Sequence, residues 1–223
     1  MEGLDKKKLA EMIDQTLLKP FVTLDDVKKH CETADKYGFK TVAVNNAVVE
    51  YCAGLLQNSR TVCDAAVSFP LGQCTLETKI FETNDVIEKG AKEVDYVVNI
   101  VELKSGNWEY IEKEMISIVN ACNKNGVISK VIFENCYLND DEKRKLCQIA
   151  LKVHPNFIKT STGFGSGGAT EEDIRLMKSV VGDEIKIKAV GGIRDLRTAL
   201  SMIRAGASRI GTSCGTQIID EMK

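Results

Sequence analysis

Residues 157–190 read FIKTSTGFGSGGATEEDIRLMKSVVGDEIKIKAV, and this stretch decides the fold. It begins and ends with short runs of strand character, at 157–161 and 185–190. Between them, residues 170–181 have the apolar spacing of an amphipathic helix, and Thr170 is a favourable residue to cap it. Two strands joined by one helix predict a parallel pair with a helical crossover.

The same alternation of strand and helix extends over the rest of the chain. The strand-type runs are residues 14–18, 41–45, 61–69, 94–100, 130–134, 157–161, 185–190 and 209–212. Helical periodicity covers residues 24–37, 46–57, 75–89, 107–124, 139–152, 170–181, 194–204 and 214–222, after a short N-terminal amphipathic helix at 6–13. This order without a linker predicts a single α/β domain over residues 1–223, with a parallel sheet that is open and doubly wound or closed. Eight units favour the closed (β/α)8 TIM barrel.

Polar residues in the strand runs strengthen the prediction of a barrel. Strands of open parallel sheets are almost uniformly apolar, whereas several of these carry polar residues in one alternating phase. The pairs that share a face are Asp95 with Asn99, Lys130 with Glu134, Lys159 with Ser161, and Lys186 with Lys188. The opposite phase is apolar and suits packing against an outer ring of helices, so we expect the polar phase to point into the barrel.

Composition excludes several classes of function. The 223 residues include 30 Lys+Arg and 32 Asp+Glu, a net charge of −2 without a basic run, so neither nucleic acid nor an anionic membrane is an expected partner. No apolar run approaches the ~20 residues that span a bilayer, and we expect a cytoplasmic protein. The eight cysteines form no C-x-x-C pair, and His30 and His154 lack further ligands at metal-motif spacing. We therefore expect no metal and no other cofactor.

Lysines inside the predicted barrel are candidates for chemistry. Lys159 lies near the C-terminal end of its strand, where barrel active sites form, and Lys188 follows on the next strand in the same phase. Two ammonium groups in a water-poor cavity repel, which lowers the pKa of at least one and frees an amine to attack a carbonyl. Asp95 is the nearest candidate for passing protons. The alternative is an internal ion-pair network without a reaction.

Glycines predict a phosphate site. Gly191 and Gly192 directly follow the seventh strand, and residues 211–215 end the eighth strand and open the last helix. Loops at these two places, with a helix N-terminus, bind phosphate in many barrels, although glycine pairs also form plain turns. The run 163–168, which begins at Gly163, is either a substrate-covering loop or a linker.

Seven segments together resemble the deoxyribose-phosphate aldolase family, in the family's order. They are residues 13–20, 68–72, 93–99, 130–134, 159–164, 188–194 and 209–213. The resemblance implies a (β/α)8 barrel that reversibly cleaves 2-deoxy-D-ribose 5-phosphate to D-glyceraldehyde 3-phosphate and acetaldehyde, in deoxyribonucleotide catabolism. It further implies a lysine Schiff base and no metal.

The resemblance also implies roles for individual residues. Lys159 would form the Schiff base, Lys188 would depress its pKa and take part in proton transfer, and Asp95 would relay protons through water. The phosphate positions would be Gly192, Gly211 and Ser213, and we add Gly191 beside Gly192 and Gly163 in the run after the sixth strand as further candidates for binding the substrate. Expected supporting residues are Asp14, Lys130, Glu134 and Thr160. Gln15 departs from the family, since many members have His there.

Two other functions stay open at this stage. One is a different Schiff-base aldolase of a phosphorylated sugar, because a fold and a phosphate site do not fix the substrate. The other is a silent barrel used as a binding module, for which we would expect loss of Asp95, Lys159 or Lys188; all three are present. The expected ligands are phosphosugar and aldehyde substrates, and the surface permits the homodimer common in the resembled family.

Overall fold

Eight parallel strands form a closed barrel in the computed structural model, which describes residues 4–222. Each strand pairs with its neighbours in chain order, and β1 closes the ring against β8. The strands are β1 Ile13–Leu17, β2 Thr41–Asn45, β3 Val62–Val67, β4 Glu93–Val97, β5 Ile128–Ile132, β6 Phe157–Lys159, β7 Lys186–Val190 and β8 Arg209–Thr212. The predicted TIM barrel is confirmed.

Helices follow the strands and cover the outside of the barrel. The described residues form α1 Lys6–Ala10, α2 Leu24–Tyr37, α3 Val49–Leu55, α4 Leu76–Glu88, α5 Ile100–Lys104, α6 Trp108–Lys124, α7 Asp140–Val153, α8 Glu171–Val181, α9 Leu196–Ala205 and α10 Gly215–Glu221, with 3₁₀ turns at Asn46–Val48 and Asn135–Tyr137. Thr23, Thr75 and Thr170 cap α2, α4 and α8 with their side chains, as their positions predict. Within the described residues, no helix is long and apolar enough to cross a membrane.

The apolar phase of the strands forms the layer between barrel and helices. Tyr96, Val131, Ile158 and Ile187 are all buried in the main hydrophobic cluster, together with the inner faces of the helices. Burial of this layer is the main favourable contribution to folding. It also fixes the strand register, because a shift of one residue would turn the polar phase outward.

Two parts of the predicted polar phase are wrong. Strand β4 ends at Val97, and Asn99 instead caps α5, where its side chain accepts hydrogen bonds from the amides of Val101 and Glu102. Asn is favoured at such caps because it satisfies amides that the helix leaves unpaired. Lys186 is exposed at the first residue of β7 and places its amine 5.6 Å from the centre of the Phe157 ring.

Candidate active site

Eight ionisable side chains, which we call the charged cluster, fill the barrel interior. The acids lie on β1, β3 and β4 and the bases on β5 to β8; they are Asp14, Asp64, Glu93, Asp95, Lys130, Lys159, Lys188 and Arg209, and all are buried. The strands bring them together because alternate residues point inward. In the register, Asp95 lies opposite Lys130, and Lys159 lies opposite Lys188.

Asp95 lies at the centre of the charged cluster. Its Oδ2 accepts from the amines of Lys159 at 2.6 Å and Lys188 at 2.7 Å, and its Oδ1 accepts from Lys130 at 2.5 Å. Burial would raise the pKa of Asp95, but the three ammonium charges hold it well below the ordinary value. Asp95 is therefore ionised and connects all three lysines.

The three lysines differ in how many carboxylates surround them. Lys130 lies 2.5–2.9 Å from three carboxylates and Lys188 lies 2.5–3.1 Å from three, while the structure gives Lys159 the single ion pair with Asp95 among the described residues. Burial lowers the pKa of each amine, yet the carboxylates raise the pKa of Lys130 and Lys188 above the ordinary value. For Lys159, burial prevails and the pKa is lowered. The arrangement thus selects Lys159 as the amine most easily deprotonated.

The cause of this lowered pKa differs from the one that the sequence suggests. Repulsion between two lysines is the sequence-based expectation. In the structure, burial is the larger cause for Lys159, and the charge of Lys188 is a smaller one that acts in the same direction. Attraction to Asp95 opposes both.

One aromatic ring lies near the Lys159 amine at the C-terminal end of the barrel, and a second ring packs on the first. The Lys159 amine lies 5.9 Å from the centre of the Phe69 ring, and Phe69 packs edge-to-face on Phe164 at 5.4 Å. Phe164 belongs to the glycine-rich run after β6. Gly168, at the end of that run, packs so closely on Gly191 that a Cβ at residue 168 would lie 2.3 Å from the Gly191 carbonyl oxygen. The run is therefore tied down at both ends rather than being a loose linker.

The five predicted phosphate residues line one small cleft beside this run. The cleft has a volume of about 110 Å³, and its lining consists of Thr16, Thr162, Gly163, Val190, Gly191, Gly192, Ile193, Gly211, Thr212 and Ser213. Among these described residues there is no charged side chain, so backbone amides and hydroxyls would bind an anion here. Gly191 and Gly192 have φ values of +94° and +79°, in the left-handed region that favours glycine.

One expected part of the phosphate site is already occupied. The amide of Gly215, the first residue of α10, donates to Oε1 of Gln15 at 3.1 Å, and Nε2 of Gln15 donates to the Ser213 carbonyl at 3.4 Å. Gln15 thus positions the loop before α10, and the Gly215 amide is not free for an anion. Gly211 lies deeper than expected, since a Cβ there would lie 2.6 Å from Val190 and 3.2 Å from Lys188 Cε.

The expected supporting residues divide into two groups. Asp14 and Lys130 belong to the charged cluster, where Asp14 contacts Lys188 at 2.5 Å. Glu134 follows β5 with a φ of +55°; its carboxylate accepts from the Thr162 amide at 3.2 Å and from the Thr162 hydroxyl. Thr160 exchanges hydrogen bonds with the backbone of Val190 at 3.2 and 3.3 Å. Glu134 and Thr160 therefore fix the segment after β6.

Three members of the charged cluster escaped the sequence analysis. Asp64 contacts Lys130 and Lys188, while Arg209 contacts Asp14 at 2.6 Å and Glu93 at 2.9 Å. A signal for Glu93 was available, because it lies two residues before Asp95 and so has the same inward phase. Asp64 and Arg209 could have been found by the same test on β3 and β8.

Asp14, Asp64 and Glu93 come close enough together to hold a metal ion. The positions beside them are taken by cations of the protein itself. Lys130 lies 2.7 Å from Asp64 and 2.9 Å from Glu93, and Arg209 contacts both Asp14 and Glu93. A divalent cation would have to enter beside these charges, so the donor set suits ion pairs better than a metal.

Known proteins resemble this chain over nearly its whole length. The sequence profile of the DeoC family, described as DeoC/LacD family aldolase, matches residues 8–221. A deoxyribose-phosphate aldolase from Lactobacillus acidophilus is 53% identical over 96% of this chain and 90% of its own. One from Bacteroides thetaiotaomicron is 50% identical over 99% of this chain and 93% of its own.

A solved structure has the same architecture. The deoxyribose-phosphate aldolase from Aeropyrum pernix, described as a tetramer, superposes with a TM-score of 0.91 at 30% identity. That match covers 97% of this chain and 91% of the other.

Proposed function

This chain belongs to the DeoC/LacD family of aldolases, and we propose that it reversibly cleaves 2-deoxy-D-ribose 5-phosphate to D-glyceraldehyde 3-phosphate and acetaldehyde. The observation that carries the proposal is Lys159, a buried amine with a lowered pKa and a single carboxylate partner among the described residues. Such an amine can form an imine with an aldehyde. The reaction makes the enzyme a carbon–carbon lyase of deoxyribonucleotide catabolism.

The chemistry uses the imine as an electron sink. The neutral Lys159 amine attacks C1 of the open-chain sugar, and loss of water leaves a protonated imine. Removal of the proton from the C3 hydroxyl then breaks the C2–C3 bond, and its electron pair moves into the imine as an enamine. Glyceraldehyde 3-phosphate departs. Protonation of the enamine carbon and hydrolysis by water release acetaldehyde and return the amine.

Lys188 and Asp95 assist this sequence. Lys188 keeps its charge, because three carboxylates surround it, and it supports a neutral Lys159 by repulsion. Asp95 contacts both amines and is the candidate for relaying protons through water. Its lowered pKa makes it a weak base while three lysines contact it, so the relay requires one of these contacts to loosen as the imine forms.

The phosphate group would bind in the cleft beside the glycine-rich run that follows β6. Support comes from the ten lining residues, which offer glycine backbone and hydroxyl groups, and from the position of the cleft after β7 and β8. Binding there would hold the reacting carbon near the amine.

The proposal also includes the domain organisation, the location, the ligands and the assembly of the enzyme. We infer one catalytic domain over residues 1–223, in the cytoplasm, with phosphosugar and aldehyde ligands and neither nucleic acid nor membrane as partner. A homodimer is the proposed assembly, although the relative from Aeropyrum pernix is described as a tetramer.

Reductive trapping tests the proposal directly. Borohydride added with acetaldehyde should attach an ethyl group to Lys159, which peptide mass mapping would locate. Cleavage of deoxyribose 5-phosphate should be lost in proportion to this labelling. Labelling without cleavage of this sugar, but with cleavage of another phosphorylated sugar, would make the chain a different Schiff-base aldolase. Absence of labelling would overturn the imine.

A further inference from the structure

Asp64 is a buried carboxylate that the proposed reaction does not use. It lies on β3 with its side chain inside the barrel and 1% of the residue exposed. Its Oδ2 is 2.7 Å from the Lys130 amine and 3.1 Å from the Lys188 amine. Its Oδ1 is buried and has no hydrogen-bond donor among the described residues. One side of this carboxylate is therefore unsatisfied.

Both lysines that contact Asp64 also contact Asp95. An ionised Asp64 shares the two ammonium groups with Asp95 and leaves Oδ2 of Asp95 available to Lys159. If Asp64 is neutral, Lys130 and Lys188 are attracted more strongly to Asp95, and they then compete with Lys159 for its carboxylate. Loss of the negative charge would also directly weaken the support for an ammonium at Lys159. Both effects favour the neutral amine.

The charge balance of the cluster supports the same conclusion. Four carboxylates face four bases, so the fully ionised cluster is balanced. When Lys159 becomes a neutral amine, one negative charge is in excess in a water-poor interior, where unbalanced charge is costly. A proton on one carboxylate restores the balance.

Asp64 is the carboxylate best suited to hold that proton. Burial and the charge of Asp95 raise its pKa to about 6, while Lys130 and Lys188 only partly oppose this. Asp14 and Asp95 have lowered pKa values instead. The charged groups that face Asp64 are Asp14 from β1, Glu93 and Asp95 from β4, Lys130 from β5, Lys159 from β6 and Lys188 from β7. From β2, its register partner is Ala43.

We propose that Asp64 is a positioning residue that takes up a proton as Lys159 gives one up, and so keeps the charged cluster balanced while the amine is neutral. One proton leaves the Lys159 amine and one arrives at the Asp64 carboxylate, so no net charge is created. The inference rests on the proposed Schiff-base function, because it assigns a purpose to the neutral amine.

Asp64→Asn tests this role, since asparagine has nearly the same shape and is always neutral. Asparagine reproduces the neutral Asp64 that accompanies the neutral amine, so the acid limb of the kcat/KM profile should stay in place. An Asp64 that stays ionised would instead support the ammonium at Lys159, and its loss would move the acid limb to lower pH by about half a unit to one unit. The matched control is Lys188→Ala, which removes a charge that takes up no proton and should move the acid limb to higher pH by about one unit.

A second measurement does not depend on either variant being stable. At a pH on the plateau of the profile, where the Lys159 amine is neutral, the infrared spectrum of the unmutated enzyme should contain the band of a protonated buried carboxyl. An acid limb that moves to lower pH in folded Asp64→Asn protein, or absence of the carboxyl band, would overturn the proposal. Borohydride trapping at Lys159 in the unmutated enzyme separates this result from failure of the Schiff-base function itself.

Discussion

Two buried lysines, Lys159 and Lys79, show what distinguishes a reactive amine from a structural one. Lys79 lies on α4, outside the barrel, where its amine donates to Glu114 at 2.6 Å and to the carbonyls of Val97 at 2.6 Å and Gly72 at 3.2 Å. Burial lowers the pKa of Lys79 as it does that of Lys159. The direction of the pKa shift therefore does not separate the two.

Their hydrogen bonds do separate them. An ammonium has three N–H donors, and Lys79 uses all three, on Gly72 in the loop after β3, on Val97 at the end of β4 and on Glu114 of α6. Glu114 also accepts from the Asn99 amide at 3.0 Å, so the pair joins these loops to α6. Lys159 contacts the carboxylate of Asp95 and lies at the end of a strand, with its amine 5.9 Å from the centre of the Phe69 ring. A buried lysine with unused donors at the barrel mouth is the one that can change its bonding during a reaction.

Removal of the Lys159 amine should have the largest effect. In Lys159→Ala we expect no borohydride trapping and a loss of activity of about 10⁴-fold or more, because no other amine is aimed at the carbonyl. Steady-state cleavage and mass mapping measure both quantities. Trapping that persists at Lys188 in this variant would show that Lys188, and not Lys159, forms the imine.

Lys79→Met should reduce stability instead of chemistry. It leaves Glu114 buried without its partner, and we expect a loss of about 3–5 kcal/mol in the free energy of unfolding. Urea denaturation measures the change, and the double variant Lys79→Met/Glu114→Leu should recover most of it. Trapping at Lys159 should continue in the folded fraction. If trapping disappears from folded Lys79→Met protein, the two sites are not independent.

Charge at the phosphate cleft should change substrate preference. In Ser213→Asp, repulsion should reduce kcat/KM for deoxyribose 5-phosphate roughly 10- to 100-fold, equivalent to about 1.4–2.7 kcal/mol. Unphosphorylated deoxyribose should be cleaved as before. Ser213→Ala is the control and should lose only a fewfold. An equal loss on both sugars in Ser213→Asp would place the phosphate elsewhere.

Lys188→Ala should move the acid limb of the profile, which Asp64→Asn should leave in place. Loss of the Lys188 charge removes repulsion from Lys159 and frees Asp95 to attract it, so the pKa of Lys159 rises. Because the neutral amine is required, the acid limb of kcat/KM should shift to higher pH by about one unit. The two groups titrate together, so the measured values describe the pair. An unchanged profile would contradict the role of Lys188.

The smallest expected effect is that of chelation. The imine supplies the electron sink, and the nearest acidic cluster is occupied by Lys130 and Arg209, so prolonged EDTA dialysis should leave the rate unchanged. The rate before and after dialysis, with and without added divalent ions, measures this. Activity lost on dialysis and restored by one ion would reject the imine.

Local sequence patterns predicted the fold well because the barrel repeats one unit. The strand bounds at β2 and β8 agree with the prediction to the residue. The prediction erred where strands meet the loops, as at Asn99, because an apolar run continues past the point where a cap residue ends the strand.

The site could be predicted only in part. Lys159, Lys188 and Asp95 stand in recognisable motifs, whereas Asp64 lies outside them, and only the assembled barrel shows that it contacts Lys130 and Lys188. The count of carboxylates around each lysine likewise depends on eight strands meeting in space. Hence the sequence predicts a lowered pKa in the lysine pair without giving burial as its main cause.

The separation of acids on β1 to β4 from bases on β5 to β8 has a consequence for how the barrel assembles. The first four strands alone would gather four carboxylates, and the last four alone would gather four cations, so neither half can close around its own charges. Asp14 contacts Arg209 at a sequence separation of 195, and such distant contacts form slowly. During synthesis on a ribosome, the first four strands therefore cannot neutralise their carboxylates until the last four strands have been made. If the chain were cut in the loop between β4 and β5, the two fragments would be electrostatic complements that fold only on meeting.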